Sequence, residues 1–368
     1  MEILLIIVML SGGAYILINL LIHLGLNRQW PRTTDQPAVT VLVAARNEAE
    51  NLPACLEHLA AQHYPGDKLQ IIVLNDRSTD ATGDIARSFA ARFNFMEVID
   101  IDHDKAGLMG KMNVIAQGMG YARGDIILIT DADCKPSPAW ISEMTSFFTK
   151  ETAIVGGLTL LAGKGIFGKI QSADWLFLQA VAAGVAGIGT PVSILGNNFG
   201  YRKQVYNEIG GFEYTGFSLT EDLTLLQAVR RDKKLKVAYP LSTGSLVVSK
   251  PVHSIPALIH QRLRWLAGGR QSGPFGWIML GATFILHLLL PAALPLMPRN
   301  PLLWFMTAFI VMLDLGLLFR LAGRLRSWQF VVLFPLFELY YFVYTTVFGF
   351  LSFLPFRINW KDRIYRPE

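Results

Sequence analysis

The sequence predicts an α/β fold: a mainly parallel sheet covered by helices on both faces, joined to transmembrane helices. Two observations predict it. Between residues 38 and 131, Val- and Ile-rich runs alternate with helical stretches, the pattern of βαβ units whose parallel strands are buried on both sides. Toward both ends of the chain lie uncharged apolar runs long enough to cross a bilayer. The 368 residues are 52% hydrophobic and 17% charged, with mean hydropathy +0.37, too apolar for an ordinary soluble domain.

In chain order, the run from Ile3 to Leu26 carries no charge apart from His23 when protonated. At about 1.5 Å per residue it covers a hydrocarbon core of about 30 Å. Such a run is a span or a signal peptide. Glu2 before it and Arg28 and Arg32 after it favour an uncleaved anchor over residues 1–30, with the following domain in the cytoplasm. Next come a strand "AVTVLVA", a helix from Glu48 to Gln62, a strand "LQIIVLN", a helix from Asp80 to Phe93, a strand "FMEVIDI", a helix from Lys111 to Ala122 and a strand "DIILIT". The polar domain is expected over 38–250.

Residues 251–275, with "QRLRW", read as an amphipathic helix at the bilayer surface. Trp277 to Met297, Pro301 to Phe319 and Trp328 to Phe356 are each long enough to span, so 276–356 is expected in the membrane. The arginines between Arg320 and Arg326 place that connection in the cytoplasm, which would leave the basic tail, 357–368, outside against its own charge. Either the last segment is re-entrant or another segment only lies on the membrane. Pro335 and Glu338 fall in it, and a glutamate at that depth faces protein or a cavity, or snorkels at a bent interface.

The two cysteines, Cys55 and Cys134, make neither a disulfide framework nor a zinc site and suit a reducing compartment. The net charge is +5, and the basic residues stand beside apolar segments rather than in a patch interleaved with aromatics. That argues against nucleic-acid binding.

Ligands of parallel sheets bind outside the carboxyl ends of the strands. Three strand ends here carry polar residues: Arg46-Asn47-Glu48, Asn75-Asp76-Arg77-Ser78 and Asp131-Ala132-Asp133. Each alone also fits a turn or a helix cap; their sharing one edge points to a site. Asp131 and Asp133, two apart in an extended segment, lie on one face and repel unless a cation or donor sits between them. Hard oxygens of this kind suit Mg²⁺ or Mn²⁺, which completes its shell with waters and substrate phosphates. Lys111, after the flexible "HDKAGLMG", reads as an anion contact or as a solvated lysine.

Taken together, "VAARNEAENL", "NDRSTD", "GKMN", "TDADC", "GNNFGYRKQVYNEIGGF", "TEDLTL" and "QRLRW" resemble the membrane-bound family-2 glycosyltransferases, the group of cellulose, chitin and hyaluronan synthases and ceramide glucosyltransferase. The resemblance covers about residues 38–270 and implies a GT-A type, Rossmann-like nucleotide-sugar-binding domain. It implies that Ala45, Asn47 and Glu48 contact the nucleoside and that Asp76 reads the base. Lys111 is implied as a nucleotide contact, Asp131 as the carboxylate near ribose and diphosphate, and Asp133 as the metal ligand. Glu221 and Asp222 match the motif whose aspartate is the general base; Gln261, Arg262, Arg264 and Trp265 match the Q-x-x-R-W signature near diphosphate and acceptor. There are departures: Ala116 stands where the family carries an Asn, with Asn113 earlier, and Arg77 replaces a small residue after Asp76.

The chemistry so implied is inverting transfer from a nucleotide-diphosphate sugar, a UDP-sugar by expectation, in a protein of the bacterial inner membrane with a cytoplasmic catalytic domain. A processive polysaccharide synthase needs a path for its polymer, usually lined by more helices than this chain offers. A lipid acceptor needs only to reach Asp222 from the bilayer, and the small membrane part favours it. A homo-oligomer or partner subunit completing a pore stays open. Ile166 to Ile188 is either an interface helix at that entrance or buried core. A non-catalytic sugar-nucleotide-binding membrane protein is the competing class, against which both acidic motifs argue.

Overall fold

The computed structural model describes residues 2–231, 235–269, 272–354, 358–360 and 363–365. The chain divides into two compact units, described separately. The sheet unit comprises Gln29–Ala162 and Ser193–Lys250; the helical unit comprises Met1–Arg28, Gly163–Val192 and Pro251–Glu368. The domain expected over 38–250 is therefore interrupted, because the segment 163–192 groups with the apolar helices.

From the N-terminus the elements are α1 (Glu2–Gly25), β1 (Val39–Ala45), α2 (Leu52–Ala60), β2 (Leu69–Asp76), α3 (Thr82–Ala90), β3 (Met96–Ile101), α4 (Gly110–Gly118), β4 (Ile126–Asp131), β5 (Lys135–Pro136) and α5 (Trp140–Ser146). Next come β6 (Thr152–Gly156), β7 (Thr159–Leu161), α6 (Gly165–Gly187), β8 (Asn198–Arg202), α7 (Lys203–Glu208), α8 (Gly211–Thr215), α9 (Glu221–Arg230), β9 (Lys236–Ala238) and β10 (Val247–Ser249). The chain continues with α10 (Ile255–Gly269), α11 (Gly273–Ala293), α12 (Pro301–Arg324), α13 (Gln329–Val332), α14 (Phe334–Leu351), β11 (Ile358–Trp360) and β12 (Arg363–Tyr365).

In the sheet unit, seven strands follow the order β3-β2-β1-β4-β8-β6-β9. The first four are parallel, as the alternation predicts, and β8 runs antiparallel between β4 and β6. All of β2 is buried, as expected of an unbroken apolar run covered on both faces. Val41, Val43, Ile71, Val73 and Leu128 pack with Leu56 and Leu59 of α2, Phe89 of α3 and Trp140 of α5 into one core. Two helices start later than expected. Asp80 accepts from Thr82 N at 3.0 Å and Ala49 N at 3.1 Å, and Asn51 donates to Glu48 at 2.8 Å, so these side chains hold turns ahead of α3 and α2.

Among the described residues of the helical unit, four helical segments are long and apolar enough to span a membrane: Glu2–Gly25, Gly273–Arg299, Pro301–Arg324 and Phe334–Leu351. The last is shorter than expected, since Pro335 sits in its first turn and Gln329–Val332 forms a separate turn of helix before it. Alpha-helix α1 is packed rather than isolated: Val8, Ser11, Gly12, Tyr15, Ile18, Asn19, Ile22 and Gly25 form a buried stripe at helical spacing. Tyr15 donates to both carboxylate oxygens of Asp314 on α12, at 2.9 and 3.0 Å. Half of the tail expected over 357–368 lies outside the described residues; Ile358–Trp360 and Arg363–Tyr365 pair as antiparallel strands.

Candidate active site

The register brings the expected strand ends together. Ala44 stands opposite Asp131, and Ala45 opposite Asn75, so the segments after β1, β2 and β4 leave the sheet side by side. Winding reverses at β1, which has β2 on one side and β4 on the other; a crevice opens at such a switch point.

The first two turns lace into each other. Asn47 and Arg77 adopt left-handed conformations, φ 54° and 51°, each costing about 1 kcal/mol that the surroundings must offset. Asn47 Oδ1 accepts from Thr79 N at 2.9 Å, its N–H donates to Ser78 Oγ at 3.1 Å, and Glu48 N–H donates to Thr82 Oγ1 at 2.8 Å. The hydrogen bond from the Thr82 hydroxyl chiefly holds the Asp80 carboxyl below its ordinary range. Asn47 and Asp80 thus shape the loop on which Glu48 is carried.

Asp76 is buried at the end of β2. Arg77 binds it through Nη2 at 2.7 Å and Nε at 2.9 Å, Arg46 stands 3.8 Å away, and Arg77 reaches on to Asp104 at 2.7 Å. Arg77, the departure from the family pattern, is consumed in holding Asp76. Asn113 is fully buried and pins the preceding loop, accepting from Lys105 N at 2.8 Å and donating to Asp104 at 3.0 Å and His103 O at 3.2 Å.

Beyond β4, Ser249 donates to Asp133 Oδ2 at 3.3 Å, and Cys134 Sγ lies 3.5 Å from Oδ1. Burial, then the charges of Asp131 and Glu48, push the Asp133 carboxyl up to about 6. A divalent cation would relieve that repulsion, so the pair fits one. Among the described residues no group of three or more His, Cys, Asp or Glu is placed to hold a metal ion by itself. Cys55 and Cys134 are buried free thiols behind this segment, Cys55 lying 3.6 Å from Asp131 O; burial pushes both thiols up.

Lys111, in the first turn of α4, joins this edge to α9. Its Nζ lies 2.7 Å from Asp131 Oδ1 and 2.8 Å from Glu221 Oε1 and donates to Gly196 O at 2.9 Å. Burial alone would lower its pKa, but the Asp131 and Glu221 carboxylates outweigh it and hold the ammonium raised. Glu221 and Asp222 open α9, where the helix dipole favours negative charge. Leu223 N donates to Asp222 Oδ1 at 2.8 Å.

The structure thus gathers Ala45, Asn47, Glu48, Asp76, Lys111, Asp131, Asp133, Glu221 and Asp222 within the sheet unit. Gly196, the first residue of "GNNFGYRKQVYNEIGGF", is part of the same cluster through its carbonyl. Two residues on, Asn198 accepts from Trp140 Nε1 at 2.8 Å and donates to Leu158 O at 2.8 Å and Ser245 O at 3.0 Å, which explains this polar residue at the start of a buried strand.

Gln261, Arg262, Arg264 and Trp265 lie on α10 in the helical unit. Gln261, Arg264 and Trp265 are partly exposed. Arg262 is 1% exposed and ion-paired with the fully buried Asp174 of α6, which also accepts from Tyr340 Oη at 3.2 Å. Its guanidinium lies 4.0 Å from the Trp265 ring centre, and Trp265 packs on Trp175 at 4.9 Å.

Comparison with known proteins agrees with this architecture. Residues 40–210 match the family described as "Glycosyl transferase family 2" and residues 126–356 match "Glycosyl transferase family group 2". The "Probable glycosyltransferase YdaM" of Bacillus subtilis is 23% identical over 91% of this chain and 86% of its own length. The beta-monoglucosyldiacylglycerol synthase of Nostoc sp. is 26% identical over 89% of this chain and 76% of its own. The poly-beta-1,6-N-acetyl-D-glucosamine synthase of Staphylococcus aureus is 24% identical over 71% of this chain and 61% of its own. Among solved structures, the mannosyltransferase PcManGT of Pyrobaculum calidifontis, in complex with GDP-Man and Mn²⁺, superposes with a TM-score of 0.60 at 18% identity, covering 95% of this chain and 98% of that one. The fold is of the GT-A type.

A GT-A sheet with carboxylates and a lysine at its carboxyl edge, in a chain whose described residues include four helices apolar and long enough to span, defines a membrane protein of the glycosyltransferase class. This chain belongs to glycosyl transferase family group 2.

Proposed function

We propose that the protein is an inverting, metal-dependent hexosyltransferase that moves a sugar from a UDP-sugar to a hydroxyl of a membrane lipid, with its catalytic domain in the cytoplasm. The observation that carries the reaction is the meeting of the Asp131–Asp133 pair, Lys111 and the Glu221–Asp222 turn at one sheet edge. Asp131 and Asp133 would hold Mg²⁺ or Mn²⁺, which neutralises charge on the departing diphosphate. Glu48 and Asp76 are carried to the nucleoside end by the laced turns. Asp222 takes the proton of the acceptor hydroxyl as its oxygen bonds to the anomeric carbon; the bond from that carbon to the diphosphate breaks, and the nucleoside diphosphate leaves with the electron pair.

The lipid acceptor is supported by the membrane part and by the relatives. Beta-monoglucosyldiacylglycerol synthases of three organisms are similar to this chain over 71% to 89% of its length, and the poly-N-acetylglucosamine synthase over 71%. We place α10, with Gln261, Arg264 and Trp265, at the bilayer surface, where cations meet headgroups and Trp the interface.

Purified protein incubated with labelled UDP-glucose, Mn²⁺ and diacylglycerol vesicles tests the reading. A single-sugar product extracted into organic solvent is expected; a labelled high-molecular-weight polymer would replace it with a processive synthase, and no turnover of any UDP-sugar would favour the non-catalytic class.

A further inference from the structure

Four segments converge on one ammonium. Lys111 comes from α4, Asp131 from the end of β4, Glu221 from the start of α9 and Gly196 from the loop before β8, and the three contacts at 2.7, 2.8 and 2.9 Å use the three donors an ammonium has. The two carboxylates differ in access. The Asp131 side chain is 39% exposed and that of Glu221 only 9%. An ion arriving from solvent therefore meets Lys111 at Asp131, whereas Glu221 depends on Lys111 for its charge to be tolerated.

We propose that Lys111 is a positioning residue, the shared counter-ion of Asp131 and Glu221, and that a divalent cation at Asp131 competes with it there and transfers its hold to Glu221 and the Gly196 carbonyl. The inference rests on the D-x-D metal reading above. Two cations on neighbouring oxygens of one carboxylate repel, so Lys111 weakens metal binding in the absence of nucleotide. Of its other two bonds, the one to Glu221 anchors the turn that carries Asp222 and the one to Gly196 holds the loop before β8. Arrival of the metal-bound donor is thereby reported to the base-bearing segment through one side chain, with no new contact required between β4 and α9.

A direct contact to donor phosphate, which the family resemblance implies for Lys111, predicts the opposite pattern. Removing a phosphate contact weakens nucleotide binding and leaves nucleotide-free metal affinity alone. Removing a competing counter-ion tightens metal binding and lowers kcat.

The test titrates the full detergent-solubilised chain with Mn²⁺ alone, reading free Mn²⁺ by electron paramagnetic resonance, for wild type, Lys111→Met and Lys111→Arg, alongside steady-state kinetics with a UDP-sugar. Lys111→Met is expected to bind Mn²⁺ about tenfold more tightly, the loss of one unit of like charge near the ion. Lys111→Arg should keep wild-type affinity, and in Lys111→Met kcat should fall further than the donor KM rises. The double variant Lys111→Met/Glu221→Gln removes the buried charge left behind and should bind Mn²⁺ equally tightly, which covers a folding defect in the single variant. Equal Mn²⁺ affinity in wild type and both neutral variants overturns the inference alone. No Mn²⁺ binding by wild type or by either neutral variant overturns the metal reading and the inference with it.

Discussion

Gly196 passes so close to Asp222 that a Cβ at this glycine would lie 2.9 Å from Asp222 Oδ2 and 3.1 Å from Glu221 Oε1. The atoms in the way are ends of side chains rather than backbone, so Gly196→Ala can be accommodated by moving a carboxylate. Its stability cost is correspondingly small, while the proposed base is displaced. A misplacement on the order of 1 Å can cost about 10²-fold in rate. Gly196→Ala is expected to lower kcat by about 10- to 100-fold with an unchanged melting temperature and donor affinity. Kinetics beside a thermal melt check it, and a large loss of stability would speak against this account.

Asp222→Asn keeps the shape of the side chain and removes its ability to accept the acceptor proton. A fall in kcat of about 10²- to 10⁴-fold is expected, the usual contribution of a general base, with UDP affinity retained. Turnover at the wild-type rate would take the base away from Asp222.

The parallel half of the sheet was legible because β1, β2 and β4 are unbroken Val- and Ile-rich runs whose burial on both faces leaves no alternation to misread. The edge residues Glu48, Asp76 and Asp131 were legible for the same reason, since polarity appears abruptly where such runs stop. Helix starts were not: Glu48 and Asp80 look like first-turn residues, yet Glu48 accepts from Asn51 and Asp80 from Thr82 and Ala49, which holds them in turns. Strands β5, β7, β9 and β10 are two or three residues long, too short to carry a period. The bridge from Lys111 to Asp131 and Glu221 joins three distant segments and leaves no local signature. Asp314 stood in plain view inside an apolar run, and an acid at that depth is itself a signal of a buried partner.

The proposed metal dependence rests on the crowded Asp131–Asp133 pair. Metal assistance supplies several kcal/mol of transition-state stabilisation, so Asp133→Ala or chelation is expected to cost about 10²- to 10³-fold in transfer rate. Added Mn²⁺ or Mg²⁺ should restore the chelated wild type and not the variant. Full activity of chelated wild type would remove the metal from the mechanism.

Alpha-helix α1 is expected to be a structural member of its bundle. A Cβ on Gly25 would lie 1.8 Å from Gly184 O, and one on Gly187 2.0 Å from Gly25 O, so α1 and α6 approach at backbone distance through small residues. Gly184→Leu should push α1 off α6 and lower the melting temperature in detergent. Tyr15→Phe, which strips the hydroxyl donating to Asp314, should cost about 1–3 kcal/mol. Wild-type melting of both variants would return α1 to the role of a separable anchor.

The Asp174–Arg262 pair offers a separate test of how α10 is held. Both side chains are at or below 1% exposure, so neither charge has water to fall back on. Removing one partner strands the other, and Asp174→Ala or Arg262→Ala is expected to destabilise by about 3–5 kcal/mol. Replacing both with apolar residues, Asp174→Leu with Arg262→Met, removes the stranded charge and should recover most of that loss, because a buried ion pair contributes little net stability over apolar packing. Arg262 also lies over the Trp265 ring, and Trp265 packs on Trp175, so the pair sets where the aromatic end of "QRLRW" stands. The double variant should therefore melt near wild type yet show a changed KM for the acceptor lipid. If acceptor KM stays at the wild-type value in a stable double variant, Arg262 braces the bundle and does not position Trp265 for the acceptor.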